Sequence, residues 1–279
     1  MSSGRSLSGP HILWSGGHAL VVLASLYELF AVLTLKQAPK AHRLALTGAL
    51  TSWGIVVFKA LGVPQPNSAY VKRALLDENA QYLLLVLYWW TQKPIVLTIL
   101  PFATFSIFHI LTFVRTTFLP KPPAAAKDGK TAPAPTSAGA QLSKQIQTLV
   151  KTHYEHAMLF VSYIEILIML RVIVGTVLRW NSFIAPILFA GFLRLRFYLS
   201  PATRKAFASL NARLDSALAH QSVPPAVRSG VNTAREMIIR FAQSSALPMP
   251  QGAAGAQAAP RPAGAAGGAG AGAAPNARR

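Results

Sequence analysis

Six apolar runs, at about 11 to 35, 44 to 63, 80 to 90, 94 to 114, 156 to 178 and 183 to 199, fill most of the first 200 residues. A helix needs roughly 20 apolar residues to cross a hydrocarbon layer roughly 30 Å thick. The first, fourth and fifth runs are long enough, the second and sixth are marginal, and the third is too short alone. None alternates with a period of two, and Leu, Ala and Ile dominate them, whereas a membrane admits only helices or closed barrels. The expected fold is therefore all-α: a multispanning bundle of about four to six membrane segments.

Charge agrees with that reading. Charged residues make up 13% of the chain, about half the roughly 25% of a soluble domain. The 27 Lys and Arg against 8 Asp and Glu leave a net charge of +19, which favours phosphate-bearing partners. The absence of cysteine excludes disulfides, thiolate metal sites and thiol catalysis. The first run is longer than a signal-peptide core and lacks a small-x-small cleavage site after it, so it reads as a retained span.

The runs fall into two halves. A first membrane half covers 1–119, a Pro/Ala-rich linker 120–141, and a second half 142–200, a helical hairpin. Basic amphipathic helices at 201–246 and a Gly/Ala-rich tail at 247–279, of disordered composition, complete the chain. Lys- and Arg-rich segments stay cytosolic. Arg115 to Lys151 contains six such residues and the part after Gly191 eleven, which places the linker and the C-terminus in the cytosol with an even number of crossings between them. Run 44–63 stays ambiguous: if it spans, Lys36, Lys40 and Arg43 fall in the lumen against the charge rule, and if it lies flat they do not.

The third and fourth runs meet at "YLLLVLYWWTQKP", residues 82 to 94. Pro94 suits a helix start, so we expect a helix from about Leu75 to Trp90, a turn at 91–93, and a second helix from Pro94 to Val114. Trp89, Trp90 and Lys93 would then sit at the interface. A single kinked or re-entrant span is the alternative.

Carboxylates inside apolar runs cost a few kcal/mol if charged and unpaired, and can mark ion or proton paths. Glu28 and Glu165 are such residues, the second with Arg171 or a Tyr or His of another helix as partner; His109 reads as a core histidine. His153 and His156 share a helix face but lack further ligands, so no metal or cofactor is expected. The "GKT" at 129–131 lacks the earlier glycine and strand of a phosphate loop. Ala45, Gly48, Ala49 and Ser52 permit close helix approach. No nucleophile, base and acid fall into an arrangement that suggests catalysis.

Beyond the runs, Val227, Val231, Ala234, Ile238 and Phe241 form one apolar stripe, bordered by Arg228 and Arg235 with Arg240 on the other side. That pattern fits a helix lying in a headgroup layer, its arginines on anionic phosphates. Upstream, Ser200 and Pro201 start a helix carrying Phe207, Leu210, Leu214 and Leu218 on one face. Nucleic acid is not the expected partner, because the arginines lack interleaved aromatic platforms.

Residues 73 to 115, "RALLDENAQYLLLVLYWWTQKPIVLTILPFATFSIFHILTFVR", and 192 to 207, "FLRLRFYLSPATRKAF", resemble two shared blocks of the transmembrane protein 33 family. That group includes Krüppel homologue 2 and the fungal pore-membrane nucleoporin. The resemblance implies a non-enzymatic protein of the endoplasmic reticulum and nuclear envelope that associates with reticulon-type membrane-shaping proteins. It also implies a role in organising nuclear pore complexes alongside nucleoporins. The C-terminal helix, about 224 to 243, would bind curved membrane and a karyopherin. The linker and tail depart from the family pattern. The competing expectation is a small ion or proton transporter or channel subunit using Glu28 and Glu165.

Overall fold

A computed structural model describes residues 8–120, 137–220 and 223–243, the side chains of 241–243 excepted. Most of the linker, the "GKT" at 129–131 and the tail therefore lie outside the described residues. The described chain is helical: α1 (Gly9–Leu33), α2 (Pro39–Leu61), α3 (Ser68–Leu76), α4 (Glu78–Thr91), a 3₁₀ turn (Val96–Ile99), α5 (Leu100–Thr117), α6 (Ala138–Val177), α7 (Ile184–Leu199), α8 (Pro201–Leu218) and α9 (Pro225–Gln243). Contacts divide it into one unit through Ser229 and a second from Gly230.

Four stretches are long and apolar enough to cross a membrane: Gly9–Leu33, Pro39–Leu61, Val96–Thr117 and Ala138–Val177. Their surfaces agree, because Leu23, Leu26 and Phe30 of α1 and Leu167, Leu170 and Val174 of α6 all face outward. Soluble proteins seldom expose so much contiguous apolar surface, whereas lipid-facing helices must. The interior is built from Val21, Leu46, Ala49, Trp53, Tyr82, Val86, Ile99, Phe102, Ile168, Val172 and Phe189.

Side-chain pairings establish the direction of each helix. Gly17 meets Gly48 and Glu28 meets His42, so α1 and α2 form an antiparallel hairpin. Trp90 reaches back to Thr47 while Tyr82 lies near Trp53, which runs α4 against α2. His11 beside Phe113 and His18 beside Ser106 run α5 against α1. Phe108 against Tyr154 and Pro120 beside Gly139 do the same for α5 and α6, and Glu78 with Arg196 and Trp89 with Phe189 for α4 and α7. The turns 34–38, 92–95 and 178–183 therefore share one end of the bundle, and residue 8, the 62–67 turn and the ends of the linker share the other. Run 44–63 is thus the return leg of a hairpin, and α2 is long and apolar enough to cross a membrane.

Several local expectations need correction. The helix expected from Leu75 to Trp90 breaks at Asp77, whose carboxylate accepts from the Ala80 N–H at 2.8 Å and so caps α4 rather than continuing α3. Pro94 does not begin a helix. The chain passes it in the loop before the 3₁₀ turn, and Pro101 occupies the first turn of α5 instead. Trp89 is a core residue, 3% exposed, with its ring against Phe189. Trp90 faces outward as expected. Ahead of run 156–178 the helix begins well before the apolar run: Ser137 caps α6, which continues for 40 residues, about 60 Å at a rise of about 1.5 Å per residue.

The α1–α2 crossing is the tightest contact between helices. A Cβ at Gly48 would lie 2.6 Å from the Gly17 carbonyl oxygen, and one at Gly17 would lie 2.8 Å from that of Gly48. Ser52 uses the close approach to donate to the Trp14 carbonyl at 2.9 Å. Without a hydrophobic driving force between helices in lipid, such packing and interhelical hydrogen bonds supply the association.

Candidate functional site: polar clusters in the bundle and an amphipathic helix

Each buried carboxylate of the bundle is paired. Glu28 lies 2% exposed on α1, and the Nδ1 of His42 on α2 is 2.9 Å from its Oε1. Glu165, 1% exposed on α6, accepts from the Tyr82 hydroxyl of α4 at 2.5 Å. Its other oxygen lies 3.5 Å from the Arg196 Nε of α7. The same guanidinium pairs with Glu78 at the start of α4 and lies 5.3 Å from the centre of the Tyr82 ring. One arginine thus joins both halves of the chain through three helices. Burying these charges is tolerable because each has partners of opposite sign or hydrogen-bond complement.

Arg171 does not reach Glu165; its guanidinium stands 5.1 Å from the Trp180 ring at the α6–α7 turn. His109 stacks on His18 at 4.5 Å and meets the edge of Trp14 at 5.4 Å, while His18 Nδ1 lies 2.9 Å from the Ser106 hydroxyl. No group of three or more metal-binding side chains occurs among the described residues, His153 and His156 included. Sequence reading missed Arg196, His42 and Glu78, and foresaw a tyrosine for Glu165 without identifying Tyr82. An arginine near the end of an apolar run was the available signal for the first, since such a residue must find carboxylates.

Outside the runs, α9 is the most sharply two-faced helix. Val227, Val231, Ala234 and Ile238 follow one another at spacings of four and three, and Met237 widens their face. Ile238 and Met237 are exposed, while Ile239 interrupts the opposite, polar face. Arg228 donates to the His220 carbonyl at 3.0 Å. Arg235 borders the apolar face, and Arg240 lies 3.6 Å from Glu236 in an exposed i, i+4 pair, a contact worth little in water. The backbone of Phe241 is helical, but its side chain lies outside the described residues.

α8 begins as read: the Ser200 hydroxyl accepts from the Thr203 N–H at 3.3 Å, and Arg204 binds the carbonyls of Phe197 and Tyr198. Thr203 and Ala206 are buried and Thr203 lies 3.2 Å from Ser162, which docks the first turns on α6. Leu210 and Leu214 are exposed beyond them.

Comparison with known proteins adds a consistent set of relatives. The family model described as transmembrane protein 33/nucleoporin POM33 matches residues 5–244. The chain is 33% identical to Nucleoporin POM33 of Chaetomium thermophilum over 241 residues, covering 80% of this chain and 83% of the relative. It is 28% identical to Tetra-spanning protein 1 of Schizosaccharomyces pombe over 238 residues, 83% and 84% of the two chains. The identity to Pore membrane protein of 33 kDa of Saccharomyces cerevisiae is 26% over 253 residues, 85% of each. No solved structure matches the chain.

Proposed function

This chain belongs to the transmembrane protein 33/nucleoporin POM33 family, and from that premise we propose a non-enzymatic protein of the endoplasmic reticulum and nuclear envelope. In this reading it stabilises curved membrane and helps organise nuclear pore complexes and tubular reticulum. Two relatives carry nucleoporin or pore-membrane names, which supports the location. The linker and C-terminus face the cytosol, as their basic residues require. In this reading the start of α1, which lies at the same end of the bundle as the linker ends, faces the cytosol too. Reticulon-type membrane-shaping proteins, nucleoporins and a karyopherin are the protein partners this role implies.

The observation that supports curvature binding is α9 itself, an apolar face bordered by Arg228 and Arg235. Such a helix inserts its apolar side between headgroups of one leaflet and places arginines on phosphates. It thereby enlarges that leaflet more than the other. A peptide of residues 223–244 is expected to become helical on small anionic liposomes, and Ile238→Asp to abolish the transition. Equal helicity of the variant on those liposomes would contradict the proposal. Transport through Glu28 and Glu165 has less support, because both carboxylates are already engaged by His42, Tyr82 and Arg196.

A further inference from the structure

The end of the bundle opposite the linker has a charge pattern that its location does not require. Its three turns and flanking helix ends carry Lys36, Lys40, Arg43, Lys93 and Arg179, while segments 29–47, 88–99 and 175–185 contain no Asp or Glu. Two guanidinium–indole pairs accompany these residues: Arg43 lies 6.0 Å from the Trp90 ring centre and Arg171 lies 5.1 Å from that of Trp180. Trp90 is further held by donation from its Nε1 to Thr47 at 3.2 Å. Trp90 and Trp180 are both exposed, so their rings sit at the rim rather than in the core.

From this arrangement we propose that the 34–43, 92–95 and 171–182 rim binds the phosphates of anionic lipid in the leaflet opposite the linker. The proposal rests on the bundle spanning the bilayer, but not on membrane binding by α9. Indole rings favour the headgroup level; Arg43, exposed beside Trp90, can turn its guanidinium to phosphate, whereas Arg171, with its Nη1 buried, holds Trp180 in place. The carboxylate beside this belt, Glu28, is buried against His42, so the exposed cations repel one another and attract an anion among them. Lipid phosphate is the anion continuously present at that depth. The protein would then hold both leaflets: the near one through α9 and the far one through this rim.

The test uses the full-length chain in neutral detergent, with thermal unfolding followed after addition of dioleoylphosphatidylserine, dioleoylphosphatidylcholine or inorganic phosphate. Phosphatidylserine is expected to raise the melting temperature more than phosphatidylcholine, and inorganic phosphate to leave it unchanged. Combined Lys36→Gln, Lys40→Gln and Arg43→Gln should remove most of the extra shift, while Ile238→Asp should retain it. If the triple variant does not fold, the pair Lys93→Gln and Arg179→Gln, in separate turns, decides the matter by the same criterion. An undiminished shift in the deciding variant would overturn the proposal. So would an equal shift from inorganic phosphate, which would identify a free anion as the occupant.

Discussion

At the scale of single residues, Arg196 is the most consequential side chain in the bundle. It is 1% exposed and lies between Glu78 and Glu165, with the Tyr82 ring at its side. Breaking a buried pair by removing one member costs about 3–5 kcal/mol, because the other charge stays buried without compensation. Arg196→Met is therefore expected to lower the melting temperature strongly. Adding Glu165→Leu to it should recover much of the loss, since no unpaired carboxylate remains at that position. Thermal unfolding in detergent by size-exclusion chromatography checks both; a double variant no more stable than the single one would show that packing, not charge, explains the effect. The sequence marked Glu165 as a residue needing a partner, and a tyrosine of another helix was among the partners foreseen. Arg196 escaped notice because it lies 31 positions away, and only the antiparallel return of α7 brings it alongside.

At the scale of helices, close approach at Gly48 and its absence at Gly54 make a matched pair. A Cβ at Gly48 would meet backbone of α1, which cannot move aside without opening the hairpin, whereas at Gly54 it would meet nothing within 4 Å. Overpacking costs about 1–3 kcal/mol, while glycine to alanine within a helix gains about 1 kcal/mol in propensity. Gly48→Ala should thus destabilise the protein and Gly54→Ala should be neutral or stabilising, as the ratio of folded to aggregated material after heating will report. Equal effects would mean that the α1–α2 crossing is not as tight as described. Periodicity identified the existence of the long helices, but their boundaries depended on caps. Asp77 and Ser137 read as loop residues until their side chains are seen to accept from the N–H groups three positions on. Pro94 suggested a helix start equally well in sequence, and Pro101 took that role because the 3₁₀ turn intervenes. Trp89 and Trp90 are adjacent and chemically identical. Only the rotation of α4 against α2 and α7 decides which is core and which is rim.

At the scale of the whole molecule, the antiparallel pairings turn a list of apolar runs into a bundle whose two ends differ. Linker and C-terminal charge predicts the cytosol for one of those ends. The other was obscured by Lys36, Lys40 and Arg43, which argue against their own position under the charge rule. The side-chain pairings make α2 the return leg of α1. The α9 stripe was legible at once, because spacing alone defines a helical face. What the stripe does in a cell is decided by imaging the full-length protein, tagged and expressed at its native level, beside a version that ends at Ser222. The account predicts that the intact protein marks reticulum tubules and puncta of the nuclear rim, and that the shortened one spreads evenly through the reticulum. An unchanged distribution after truncation would contradict the claim that α9 directs this protein to curved membrane.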